Sequence, residues 1–221
     1  MVTSLIFDLD GTLVDSAPEI HAGVLDLLAE EGLPPLSFDT VRGFIGGGVP
    51  TLITRVMRAL ALPEDPARHR ALCARFERRY EDSPEDLTRP YPGVEAALDA
   101  LDLPLALCTN KPEGPTRALI ARLGWVHRFP VLVCGDSLPS RKPDPAMLHH
   151  AIAAMGGGPA LFVGDSEVDA ETAARAGQPL LLYTQGYRKT ALADLPHLAA
   201  FDHWDDLPAL IRRCRDGETP A

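Results

Sequence analysis

Lysine is almost missing from this chain. Of 221 residues only Lys111, Lys142 and Lys189 carry an ammonium, against 31 aspartates and glutamates. The formal net charge is −10. A chain this acidic lacks the basic face that a nucleic-acid partner requires. Its overall field also repels anions, so a site for an anionic ligand must bring its own local positive charge. Cysteine is sparse as well. Cys73, Cys108, Cys134 and Cys214 stand far apart with no C-x-x-C pair, which excludes zinc-site spacing and a dense disulfide framework. No apolar run approaches membrane-spanning length. The acidic Asp8 comes too early to leave room for a secretory apolar segment, so the expected setting is the cytoplasm, with free thiols and no membrane partner.

What is present is ordinary globular material: 46 % hydrophobic and 24 % charged residues, enough for an α/β domain with a smaller companion. Leu5-Ile6-Phe7 is a short apolar run closed by Asp8 and reads as a buried strand. Similar runs recur at Leu103–Cys108, Val131–Cys134, Ala160–Val163 and Leu180–Tyr183. Helical patterns lie between them, over Val94–Leu101, Thr116–Leu123, Ala146–Met155 and Asp169–Ala176. That alternation predicts a Rossmann-like parallel sheet with helices on both faces.

The alternation stops between about Asp15 and Arg89. There no strand is expected, only three or four amphipathic helices. The first opens with Ser16-Ala17-Pro18-Glu19, a capping-box signature, and sets Ile20, Val24, Leu27 and Leu28 on one face. A second follows Pro50 with Leu52, Val56 and Leu60, and a third runs through Leu72–Tyr80. Ser83–Pro92 returns to the sheet through three prolines. The expectation is therefore a catalytic core of residues 1–15 and 90–221 with an all-helical cap, residues 16–89, inserted after the first strand. Ligands of open α/β sheets bind at the carboxyl ends of the strands, so such a cap would cover the site. A polar tail, Asp216–Ala221, is expected to fray.

The predicted strand ends carry residues suited to phosphoryl transfer. The first gives Asp8 and Asp10, then Gly11 for a sharp turn. One carboxylate can attack phosphorus; a second, two residues on, can exchange a proton with the leaving oxygen and then with water. Taken alone, the run fits an Asx turn as well as a nucleophile. Another strand ends in Thr109-Asn110-Lys111, where a hydroxyl and backbone amides could hold phosphate oxygens, although an ordinary turn explains it by itself. In Arg141-Lys142-Pro143-Asp144-Pro145 the proline keeps Lys142 extended ahead of a helix. That lysine can supply the positive charge the composition demands. A further strand ends in Gly164-Asp165-Ser166-Glu167-Val168-Asp169, placing Asp165 to share a divalent cation with Asp8 and Asp169 to orient a water or Lys142. Magnesium wants oxygen ligands, few protein carboxylates and a substrate phosphate, which this set matches. Glu167 is taken as a solvated helix-start residue.

In this order the motifs resemble the haloacid dehalogenase superfamily over essentially the whole chain: Asp8–Thr12, then Thr109, Lys142 and Gly164–Asp169. The runs Phe7–Pro18, Thr109-Asn110-Lys111-Pro112, Leu161–Ser166 and Gly186-Tyr187 are most similar to its bacterial phosphoglycolate phosphatases, and Phe44-Ile45-Gly46-Gly47-Gly48 resembles their glycine-containing specificity loop. The resemblance implies a magnesium-dependent phosphatase of a small phosphorylated metabolite. Asp8 would be nucleophile and metal ligand, and Asp10 acid/base and a ligand through its carbonyl. Asp165 would complete the ligands. Thr109, Asn110 and Lys142 would hold the phosphoryl group, with Thr12 and Asp169 in support. Gly46 and Gly47, ahead of the helix at Pro50, would receive the carboxylate of 2-phosphoglycolate, or simply form a flexible loop.

Asp10 argues against the superfamily's dehalogenases, which lack that second aspartate. No lysine falls in the cap, which argues against phosphonate cleavage through a Schiff base. A sugar phosphate, nucleotide or pyrophosphate remains an alternative substrate. A phosphomutase remains open through Arg42 and Arg55, which could bind a second phosphate. A non-catalytic binding protein would not need every catalytic position filled. Either a monomer or a small homo-oligomer is compatible with these residues.

Overall fold

The computed structural model describes residues 2–81 and 87–216. In chain order the elements are β1 (Ser4–Phe7), β2 (Val14–Asp15), α1 (Ala17–Glu30), α2 (Phe38–Arg42), α3 (Gly48–Ala59), α4 (Pro66–Glu81), β3 (Arg89–Pro90), α5 (Val94–Asp99), β4 (Leu105–Cys108), α6 (Glu113–Arg122), β5 (Val131–Val133), α7 (Ala146–Ala154), β6 (Ala160–Gly164), α8 (Glu167–Ala176), β7 (Leu180–Tyr183), β8 (Ala199–Phe201) and α9 (Leu207–Arg215).

Six strands form one sheet in the order β5-β4-β1-β6-β7-β8, and every pairing is parallel. The continuous apolar character of the strands follows from burial of both faces. Along β1, Leu5 and Phe7 point into a cluster with α5, α6 and α9, while Ile6 points into the opposite cluster with α7 and α8. Leu5 pairs with Leu105 on one side and Leu161 on the other, so β1 lies at the centre. From β1 the chain builds β4 and β5 to one side and β6 to β8 to the other. The residue after β1 therefore sits where the strand order reverses, the place where such sheets open a crevice.

The stretch after β1 behaves differently. Helices α1–α4 pack on one another around a cluster of their own, with Val24, Ile53, Val56 and Phe76 among its buried members. Ion pairs on the outer side tie α1 to α4, including Glu31 to Arg68 at 3.1 Å and Asp26 to Arg79 at 2.8 Å. Exposed pairs of this kind add little, so packing holds the unit together.

Three expectations need correction. Asp15 and Arg89 are not free of strand: β2 and β3 pair antiparallel, Val14 with Pro90 and Asp15 with Arg89, at the two crossings into the helical insertion. The second insertion helix starts at Gly48 rather than after Pro50, because proline is tolerated in a first turn where no amide partner is required. The capping box at Ser16–Glu19 does not form. Its amides are taken instead by Tyr187, whose hydroxyl accepts from Ser16 N at 2.8 Å and Ala17 N at 2.9 Å, and Glu19 turns away to accept from Thr88 N at 3.1 Å. Sequence periodicity also passed over β8 and α9. Part of the proline-rich return at Ser83–Pro92, residues 83–86, and the tail from residue 217 onward lie outside the described residues.

Ile53 is fully buried in the insertion's hydrophobic cluster, so Ile53→Ala tests whether the insertion's own packing stabilises it. The expected loss is about 2–5 kcal/mol, read as a lower urea midpoint with an unchanged m-value; a loss below about 1 kcal/mol would contradict a tightly packed insertion.

Candidate active site

Asp8 leaves β1 with its amide bonded to Val163 O at 2.9 Å, which anchors it between β1 and β6. Gly11 then turns at φ +87°; any Cβ there would stand 2.6 Å from Asp165 Oδ2. Glycine is required for both reasons, and its absence of a side chain brings the Asp8–Thr12 loop against Asp165. Thr12 Oγ1 donates to Asp165 Oδ1 at 2.7 Å, and Tyr187 N donates to Oδ2 at 2.6 Å.

Asp8, Asp165 and Asp169 are all buried, with oxygens within 4.8 Å of one another. One ammonium faces them. Lys142 Nζ lies 2.9 Å from Asp8 Oδ1 and 2.6 Å from Asp169 Oδ1. Asp169 is the spacer that makes this possible. Its Oδ2 accepts from Asp165 N at 3.2 Å, Ser166 N at 3.1 Å and Ser166 Oγ at 2.7 Å, a capping box on α8. Lys142 belongs to the loop between β5 and α7, not to a strand end. Asn110 holds that loop in place: Lys142 N donates to Asn110 Oδ1 at 2.9 Å, and Asn110 Nδ2 donates to Lys142 O at 3.0 Å. The Lys142–Pro143 peptide is cis.

The electrostatics follow from three carboxylates sharing one cation. Burial pushes the Asp8 carboxyl up to about 7, against the pull of Lys142. Asp165 is pushed well above the usual carboxylate range by burial, then by the charges of Asp169 and Asp8. Burial disfavours the Lys142 ammonium, but Asp169 and Asp8 outweigh it and hold its pKa above the ordinary lysine value. The residues present therefore fit a hard divalent cation. Asp169 is fully committed, Asp165 keeps lone pairs, and Asp8 Oδ1 is buried with an ion pair but no aligned hydrogen bond.

A cavity of about 50 Å³ opens above these groups, between the sheet and the insertion. Asp8, Asp10, Thr109 and Asn110 line it from the core; Gly46 and Gly48 line it from the insertion. Gly47 is the N-cap residue of α3, beside that wall rather than on it. Asn110 Nδ2 also donates to Gly46 O at 3.1 Å, joining the insertion to the core. Arg42 and Arg55 do not line the cavity; they donate to Gly186 O and Phe44 O, both at 2.8 Å. His21 bonds Leu36 O at 3.0 Å and is structural.

Residues 2–177 match the model of the haloacid dehalogenase-like hydrolases. The chain belongs to that family. A phosphoglycolate phosphatase of Cereibacter sphaeroides is 50 % identical over 94 % of this chain and 97 % of its own length. One from Rhodobacter capsulatus is 44 % identical over 96 % and 97 %. Among solved structures, a predicted phosphoglycolate phosphatase from Haemophilus somnus superposes with a TM-score of 0.87 at 30 % identity, covering 95 % of this chain and 98 % of that one. Within the family the chain is a phosphoric monoester hydrolase.

Two features of this family member escaped sequence reasoning. Lys111, buried two residues past Thr109, donates to Asp10 Oδ1 at 3.1 Å and to Tyr80 OH at 2.6 Å. Tyr187, quoted only for its likeness to relatives, reaches back to the crossing into the insertion and donates its hydroxyl to Asp15 Oδ1 at 2.7 Å. The lone buried-lysine scarcity was the available signal for the first; nothing local signalled the second. Tyr187→Phe removes the acceptor of the Ser16 amide and the nearer of two acceptors of the Ala17 amide, which also reaches Asp15 Oδ1 at 3.2 Å. It should cost about 1–3 kcal/mol and lower Tm by roughly 2–10 °C; an unchanged Tm would show that water satisfies those amides equally well.

Proposed function

We propose that the chain is a magnesium-dependent phosphatase that hydrolyses 2-phosphoglycolate to glycolate and phosphate through an aspartyl phosphate on Asp8. The observation that carries the chemistry is the buried cluster at the strand-order reversal: three carboxylates, one lysine, and a cavity directly above Asp8. The substrate reading is supported by the curated relatives' names at 50 % and 44 % identity. A cytoplasmic enzyme acting on a small metabolite accords with the described residues, none of whose helices is long and apolar enough to cross a membrane.

Asp8 and Asp165 would hold Mg²⁺ by their side chains and Asp10 by its carbonyl; when bound, the ion neutralises phosphoryl oxygens and templates the in-line geometry. The chain's own residues do the rest. The Asp8 carboxylate forms a bond to phosphorus as the ester P–O bond breaks, and Asp10 gives the departing glycolate oxygen its proton. Lys142 keeps Asp8 aimed and opposes the burial that favours its protonated form, and with the Thr109 hydroxyl and the Asn110 backbone amide it holds the transferring phosphoryl oxygens. In the second step Asp10 takes a proton from water as the water oxygen bonds to phosphorus. The Asp8–phosphate bond breaks, returning the Asp8 carboxylate and inorganic phosphate. Thr12 and Asp169 position Asp165 and Lys142. Gly46 presents backbone to the substrate with Gly48, Gly47 shaping the turn between them, and the insertion, residues 16–89, acts as the specificity cap.

The mutase alternative loses its motivation, because Arg42 and Arg55 are bonded to backbone carbonyls away from the cavity.

Asp8→Asn should lower magnesium-dependent phosphate release by at least about a thousandfold. EDTA should abolish wild-type turnover and added magnesium should restore it; metal-independent turnover would sink the cofactor assignment. In a panel of kcat/KM values, 2-phosphoglycolate should lead sugar phosphates, nucleotides and pyrophosphate. A sugar phosphate preferred by about tenfold, some 1.4 kcal/mol of transition-state discrimination, would overturn the substrate.

A further inference from the structure

We propose that Lys111 and Tyr80 form an anion subsite that selects phosphomonoesters with a carboxylate on the carbon next to the ester oxygen. The proposal rests on the phosphatase reading above and names the groups that would recognise the substrate's second charge.

Of the three lysines, Lys142 is matched by two carboxylates and Lys189 lies against Glu167 at 4.0 Å, away from the cavity. Lys111 is only 6 % exposed, lines the cavity, and faces a single carboxylate, that of Asp10. An ammonium has three hydrogens to place. One goes to Asp10 at 3.1 Å and one to Tyr80 OH at 2.6 Å, with the Tyr80 ring centroid 4.2 Å away. Having accepted from Lys111, the Tyr80 hydroxyl keeps its own hydrogen to donate, and no acceptor is found for it among the described residues. A charged and a neutral donor thus converge on one end of the cavity.

The position defines the ligand. Asp10 is the group that would address the ester oxygen, so an anion bound to its neighbour Lys111 lies one or two carbons beyond that oxygen. Asp10 and Lys111 line the same cavity 3.1 Å apart, so the ester oxygen and the second anion must be close neighbours in the ligand. The cavity's remaining wall is apolar, with Ile45, Val49, Leu52 and Phe76 contributed by the insertion. The hydroxyls of a sugar would be buried against these side chains without partners, which costs free energy. A short carboxylate meets Lys111, the one cation among the described residues that line the cavity. Tyr80 belongs to α4, so the subsite is complete only while the insertion rests on the core.

The test compares binding of 3-phosphonopropionate, in which methylene replaces the ester oxygen of 2-phosphoglycolate, with binding of propylphosphonate, which lacks the carboxylate. Both are titrated calorimetrically with magnesium present. Wild type should prefer the carboxylate by about tenfold to a hundredfold, the range of a charge-assisted hydrogen bond. Lys111→Met should bring the ratio close to one, Lys111→Arg should retain most of it, and Tyr80→Phe should reduce it a few-fold. If Lys111→Met does not fold, Tyr80→Phe and Lys111→Arg carry the comparison. Equal weakening of both ligands by Lys111→Met, or no preference in wild type, overturns the subsite. A wild type that turns over a sugar phosphate best, yet shows the Lys111-dependent ratio, would instead overturn the substrate and leave the subsite standing.

Discussion

The contact on which this structure turns is the ammonium of Lys142, held between Asp8 at 2.9 Å and Asp169 at 2.6 Å. Bringing three carboxylates into one buried pocket is unfavourable by burial and by mutual repulsion. Lys142 offsets part of that, and the amides and hydroxyl donated to Asp169 offset more. What remains is a pocket short of positive charge and furnished with oxygen lone pairs. A phosphoryl-transfer site needs such a condition before a cation and a phosphate enter.

The surrounding architecture serves this balance. β1 lies between β4 and β6, so the residues that follow these three strands meet without any long connection having to reach inward. Asn110 then does two jobs with one side chain, clamping the Lys142 loop and donating to the insertion at Gly46 O. The rigid side of the site is thus built on the sheet, and the adjustable side on the helices. On the proposed reading the chemistry rests on the core, and selection is shared between the insertion and Lys111.

Much of this was legible in the sequence because the decisive signals are local. Leu5-Ile6-Phe7 announces a strand buried on both faces, and Asp8, Thr109 and Asp165 each directly follow such a run. Lys142 was legible as an extended lysine through its prolines, but its attachment to Asn110 depends on a contact 32 residues back along the chain. Ser16-Ala17-Pro18-Glu19 shows the opposite case. A good local signature was overridden by Tyr187, 171 residues away, which satisfies the same amide. The short strands β2 and β3 have no periodicity to detect and exist because their partners lie across the insertion. Long-range partners of this kind leave no trace in a window of neighbouring residues.

The two-residue ribbon of β2 and β3 has a consequence for how such a protein can change. Asp15 and Arg89 are paired, so the chain leaves the core and re-enters it at adjacent points. Everything between them is, in topological terms, a loop whose ends already touch. Its closure entropy grows only slowly with the length of that loop. A longer, shorter or unrelated insertion can therefore be spliced at this gate without shifting the register of any sheet strand or displacing Asp8. The surroundings of Asp8 and the roof above them are free to diverge at different rates, covalently joined through this one short ribbon.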